Sequence, residues 1–241
     1  MGFDYSAYFS IPTDQLLLTF LAYSKSLREF CGFIKVPDAS KITRFKQDFL
    51  DDLQLVSDNL VDVTEPICQA IDSAKADMTI FDSSGIEAFV TENNPKYANR
   101  IIKQLKAYAK AQGFDKSYDP YKAAYGSMPS HASANPEIKQ LYINGHFCYV
   151  FKFGIVTNGL GIIRHISFYN KNFMVSHPDI VVERDINHIK DNLCLAGRRT
   201  QNEKTLHADL ILAGITQLIT VVLADKINHH EYIRSLKPLI A

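Results

Sequence analysis

Between the apolar runs Gln140 to Val156 and Gly161 to Phe168 stands the tripeptide Thr157-Asn158-Gly159. Asn-Gly tolerates the positive φ of tight turns, so this pattern predicts two strands folded back on each other as an antiparallel hairpin. A third strand is predicted in Asp77-Met78-Thr79-Ile80-Phe81-Asp82-Ser83-Ser84-Gly85. Its apolar run, Met78 to Asp82, is closed by a polar Ser-Ser-Gly turn. The result is an expected sheet of about three strands, with Asp82 at the end of the first. An acid at a strand end is held rigidly, as a metal ligand must be. The same residue also starts an Asx turn, and the local pattern leaves both readings open.

The remainder reads as helical. Pro12-Thr13 precedes Leu16, Leu17, Phe20, Leu21, Tyr23, Leu27 and Phe30, a wide stripe that predicts a core-facing helix ended by Gly32. Ser40 is the expected cap of a second helix, with Ile42, Phe45, Phe49 and Leu53 inward and Lys41, Arg44 and Lys46 on its outer surface. Two helices with bases on the second fit a small DNA-binding unit, and equally a solvated bundle face. From Asp48 to Asp77 the chain is acidic, and a third helix is expected to end near Ser73. Beyond Asp82 the balance reverses. Tyr97, Ile101, Leu105 and Tyr108 mark one helical face, and Lys96, Arg100, Lys103 and Lys110 another. Such a stripe can follow a phosphate backbone or serve only solubility. Tyr118 to Glu137 reads as an irregular loop. Helices are expected again over Glu183 to Leu193, over Glu203 to Ile227 behind a Thr200-x-x-Glu203 capping box, and over His229 to Leu236.

Total charge gives no pull toward nucleic acid or membrane, because 26 Lys and Arg balance 26 Asp and Glu, so any attraction is local. Cys31, Cys68, Cys148 and Cys194 are widely spaced, which argues against zinc sites and a disulfide scaffold. The N-terminus has no signal-peptide pattern, and the apolar stretch Ala208 to Leu223 is read as too short to span a bilayer. A cytoplasmic chain with no membrane partner is therefore expected. His177, Asp179 and Glu183, and the pair His229-His230, read as surface side chains, and no nucleophile elbow surrounds Ser83 and Ser84.

Glu183 opens a helix and Lys190 follows seven residues later, about two turns on along the same face. Taken alone, that glutamate is explained by the helix dipole. Taken with Phe81-Asp82-Ser83-Ser84-Gly85, Pro37 to Phe45, Thr91-Glu92-Asn93-Asn94-Pro95-Lys96, Gly145 to Tyr149 and Gly197 to Thr205, it resembles bacterial insertion-sequence transposases of the DDE type. The resemblance covers nearly the whole chain. It implies an α+β fold: a helical, DNA-binding region over residues 1–75, then a ribonuclease-H-like catalytic core over 76–241 with C-terminal helices. It further implies that Asp82 and Glu183 are catalytic acids that bind Mg²⁺ or Mn²⁺, and that Lys190 touches DNA near the cleaved end. Lys41, Arg44, Arg100, Lys103, Arg198 and Arg199 are the further expected DNA contacts. Cleavage and strand transfer need an activated oxygen nucleophile and a stabilised leaving oxygen, which two divalent ions roughly 3.5–4 Å apart supply. Mg²⁺ prefers carboxylate oxygen, so converging acids suit it.

The chain also departs from the family. A second aspartate is expected on a later core strand, yet only the fourteen residues 169–182 separate Phe168 from Glu183. Ser176 and Asp179 stand where the family's glutamate motif has a tyrosine and an arginine. The reading is an internal deletion joining the segment that ends near His177-Pro178-Asp179 to the late helix, together with an N-terminal truncation. The expected function is thus DNA transposition impaired by loss of the second aspartate. The alternative is a non-catalytic fragment that binds element ends or inhibits the intact enzyme. The expected partners are the element's terminal repeats and target DNA, and a homo-oligomer is left open.

Overall fold

The computed structural model describes residues 14–115, 117–143, 146–168 and 202–234. The described residues form eight α-helices and one four-stranded antiparallel sheet, an α+β architecture. In chain order these are α1 (Asp14–Tyr23), α2 (Lys25–Phe30), α3 (Ala39–Asp48), α4 (Leu50–Ile71), α5 (Ser73–Ala76), β1 (Ile80–Glu87), α6 (Pro95–Gln112), α7 (Pro120–Ser127), β2 (Lys139–Ile143), β3 (His146–Thr157), β4 (Ile163–Phe168) and α8 (Glu203–Lys226). Strand β3 is the common partner, and the sheet runs β1-β3-β2 with β4 also on β3. Its first half pairs β2 from Val150↔Lys139 to His146↔Ile143, and its second half pairs β4 from Phe153↔Phe168 to Thr157↔Ile163.

Three expectations about the strands are corrected. The run from Gln140 to Val156 is two strands, β2 and β3, because Asn144-Gly145 repeats the Asn-Gly signal inside it. The expected turn after Asp82 is strand, since β1 continues through Ser83, Ser84 and Gly85 to Glu87. Gly85 is there for close approach rather than turning: a Cβ on it would lie 2.7 Å from Cγ2 of Val150. In the β3–β4 connection the positive φ falls on Gly161 (75°) instead of Gly159. The Asn158 carboxamide oxygen pins that turn, accepting from the N–H groups of Leu160 (3.1 Å) and Ile162 (3.0 Å).

The chain divides into two compact units: 1–84 with 153–198 and 204–241, and 85–152 with 199–203. In the first, α8 is the central helix. Leu218, Val221 and Ala224 pack with Cys68 of α4, Ala76 of α5 and Ile162, while Ala208, Ile211 and Leu212 pack with Leu53 of α4. Gln217 of α8 completes a strand end, accepting from the N–H of Ile163 and donating to the carbonyl of Gly161, both at 3.0 Å. The whole of α8, at 24 residues, is long and apolar enough to cross a bilayer by length and composition, whereas the apolar stretch within it, Ala208 to Leu223, is sixteen residues. Here it is a core helix with two thirds of its most apolar window buried.

The N-terminal helices differ from the expected ones. Ser24 breaks the first helix in two and caps α2, its hydroxyl accepting from the N–H of Leu27. Leu18 and Leu21 are buried, whereas Phe20, Tyr23 and Phe30 of the expected inward stripe are exposed. The cap of α3 is Asp38 rather than Ser40, and Phe45 and Phe49 lie outside. Lys46, expected outside, is 3% exposed, because Asp14 and Asp209 of α8 each hold its Nζ at 2.8 Å. A buried ammonium persists only when paired in this way.

In the second unit, the predicted loop from Tyr118 to Glu137 contains α7, which starts with Pro120 at its first turn and Asp119 as cap. After α7 the chain is irregular but held. The Tyr149 hydroxyl donates to the Pro129 carbonyl (2.6 Å), and Met128, Ala132 and Ile138 are buried.

Candidate nucleic-acid interface

The segment Thr91 to Lys96 shows how α6 is set in place. Glu92 is buried, and its Oε1 accepts from the backbone N–H (3.0 Å) and hydroxyl (2.7 Å) of Ser133. Burial alone would raise this carboxyl, but the two Ser133 donors outweigh it and hold it below its ordinary value. Its Oε2 is buried with no hydrogen-bond partner. Asn93 imitates a strand residue. Its amide donates to the carbonyls of Ala88 and Tyr149 and its oxygen accepts from the Tyr149 N–H, all at 2.7 Å. Asn94 then caps α6 by accepting from the Lys96 N–H (3.0 Å), and Pro95 begins the first turn. Burial and the charge of Glu92 push the Tyr149 phenol up to about 12, so it remains a donor.

Helix α6 turns Ile102 inward and leaves Lys96, Arg100, Lys103, Lys106 and Lys110 exposed. These positions step by four, three, three and four, so they share one face over about 21 Å of helix. The helix contains no acid, and none of the five bases forms an ion pair with a described residue. The guanidinium of Arg100 lies 5.4 Å from the Tyr97 ring centroid. Lys106 was missed in the predicted stripe, although its spacing from Lys103 and Lys110 is the same helical step. Tyr108, on the apolar face, is exposed.

Lys41 and Arg44 are exposed on α3. Arg44 folds back on the helix start, its Nη2 donating to Ser40 Oγ at 2.9 Å. Asp82 is half-buried in β1, and its Oδ1 accepts from the N–H of the next residue, Ser83 (2.7 Å), within the strand. Glu183, Lys190, Arg198 and Arg199 lie outside the described residues, as do His177 and Asp179. Among the described residues no three His, Cys, Asp or Glu side chains group as metal ligands.

Compared with protein-family models, with curated proteins and with solved structures, the chain matches none. The interface is therefore read from its own chemistry. An exposed row of five bases without internal counter-charges holds mobile counterions, which a polyanion displaces on binding.

Proposed function

We propose that this chain is a DNA-handling protein of the DDE transposase type whose strand-cleaving chemistry is impaired and whose DNA contacts centre on α6. The observation that carries the reading is the stripe from Lys96 to Lys110: five exposed bases on one face, no acid in the helix. The ribonuclease-H-like core belongs to the proposal. In its support, the strand that carries Asp82 pairs with β3, and β3 with β4, a run of three strands starting with the acid. Mg²⁺ or Mn²⁺ held by Asp82 and Glu183 would supply nucleophile activation and leaving-group stabilisation. Lys41, Arg44, Arg100, Lys103, Lys190, Arg198 and Arg199 would bind phosphates. Only fourteen residues separate Phe168 from Glu183, where the family has a further strand with a second aspartate and a long insertion. That favours binding without strand transfer, which is also how a fragment would compete with an intact enzyme for element ends.

Fluorescence anisotropy with a labelled duplex tests the reading. Affinity should fall steeply with salt, and the double variant R100E/K103E should weaken binding and flatten the log–log salt slope by about two. Affinity indifferent to both salt and the double variant would sink it. Incubation with Mg²⁺ and duplex should give no joined products, and efficient joining would refute the impairment.

A further inference from the structure

Of the five bases on α6, only Lys106 has its side chain held by a hydrogen bond among the described residues. Its Nζ donates to the Tyr121 hydroxyl at 3.0 Å and lies 4.5 Å from the centroid of that ring. Tyr121 belongs to the first turn of α7, which packs against α6. Helix α7 is itself firmly seated, with Ala124 fully buried and the ring of Tyr125 stacked on Phe147 at 4.9 Å between centroids. Tyr121 nevertheless remains 52% exposed, and Lys106 is exposed beside it. An ammonium carries three donors, and a phenol both donates and accepts. After their mutual bond, Lys106 keeps two N–H donors and Tyr121 keeps its O–H, and neither side chain makes another hydrogen bond among the described residues. Asp119, the acid nearest to Tyr121 in sequence, is committed to the start of α7. Its Oδ1 accepts from the N–H groups of Tyr121 (2.8 Å) and Lys122 (3.2 Å).

From this pair we infer a phosphate clamp, in which Lys106 Nζ and Tyr121 Oη together hold the two non-bridging oxygens of one DNA backbone phosphate. Donors 3.0 Å apart suit two oxygens on one phosphorus, and a charged donor beside a neutral one supplies both attraction and direction. The other lysines of the row act as point charges whose long stems are ordered only on binding. The Lys106 stem is ordered beforehand, so a phosphate there costs less side-chain entropy than at Lys96, Lys103 or Lys110. The clamp thus fixes where along the row the backbone sits, and it carries the contact from α6 onto α7. The inference rests on the DNA-handling reading above and adds to it one phosphate position and one uncharged residue, Tyr121.

Duplex binding followed by fluorescence anisotropy separates the clamp from a plain row of charges. Y121F removes one hydroxyl and keeps the ring, so affinity should fall roughly three- to tenfold while the log–log salt slope, which counts charges, stays unchanged. K106M should lower that slope by about one. The double variant Y121F/K106M should bind within about twofold of K106M, because hydroxyl and ammonium hold the same phosphate, whereas Y121F/K103M should show the full product of its single losses. Circular dichroism and unfolding temperature establish that the variants are folded. Parent-like affinity in Y121F, or independent losses in Y121F/K106M, overturns the clamp. Replacing chloride by inorganic phosphate at equal ionic strength should leave the affinity unchanged. A loss seen in the parent and absent from Y121F assigns the pair to free phosphate and overturns the DNA contact. Failure of the parent to bind duplex at low salt overturns the broader DNA reading instead.

Discussion

Lys46 presents a residue whose place no local pattern reveals. Its position in α3 faces outward on the hydrophobic periodicity, yet its Nζ is drawn inside by Asp14, 32 residues earlier, and by Asp209 on the last helix. Removing one member of a buried charge cluster leaves the others uncompensated, so K46M should cost about 3 kcal/mol or more in urea unfolding. K46M/D209L, which removes two opposite charges together, should recover much of that loss. A cost below about 1 kcal/mol for K46M would mean that the ion pair is solvated. Gly85 is similar in kind: its role appears only when Val150 is placed above it. G85A should destabilise by roughly 1–3 kcal/mol and V150A should partly rescue it, a non-additivity that a plain loss of strand propensity would not give. His207 adds a pH dependence. Burial, then the proximity of His165, lowers its pKa, with Asp51 opposing, and its Nε2 is buried without a hydrogen-bond partner. The folded state therefore binds the proton less well than the unfolded chain. Stability is complete above the ordinary histidine value of 6.5 and declines as pH falls below it. H207Q should flatten the unfolding-temperature profile between about pH 7 and pH 5 relative to the parent, and an unchanged profile would exclude His207 as its source.

At the scale of elements the sequence was most readable where local chemistry decides. The long α4, the basic face of α6, the start of α8 at Glu203 and the antiparallel pairing around Asn158 all follow from periodicity and turn signals. Boundaries set by side-chain hydrogen bonds were missed, such as the break at Ser24 and the cap of α3 at Asp38. The candidate site was half legible. Spacing revealed the stripe of α6, but the contact of Lys106 with Tyr121 depends on α7 packing against α6, and Asp82's position within β1 depends on β3 covering Gly85. The segment Glu92-Asn93-Asn94 joins strand to helix by three different side-chain roles, so its substitutions should separate. N94A removes one cap and should cost about 1 kcal/mol. N93A leaves both a carbonyl and an N–H of buried Tyr149 without their side-chain partner, and should cost more in the same unfolding assay. Equal effects would argue against the strand-mimic role of Asn93.

Across the whole molecule, the first unit gathers segments from both ends of the chain around α8, whereas the second is nearly continuous, from Gly85 to Lys152. The chain's order of synthesis follows from this. The second unit's residues leave the ribosome almost together, but the apolar faces of α4 and β4 that α8 covers have no partner until Lys226 has emerged. At about 5–20 residues per second, α4, complete at Ile71, waits roughly 8–30 seconds for the helix that ends at Lys226. A nascent chain stalled before Glu203 should therefore bind holding chaperones and be cut readily within α4, and one stalled well beyond Lys226 should resist. Gly214, where α8 comes within 3.3 Å of Ile166 for any added Cβ, sets how closely that late helix can dock. For this chain the hazardous interval is thus one of timing: a long apolar helix, able to partition into a bilayer by composition, reaches a waiting protein socket last.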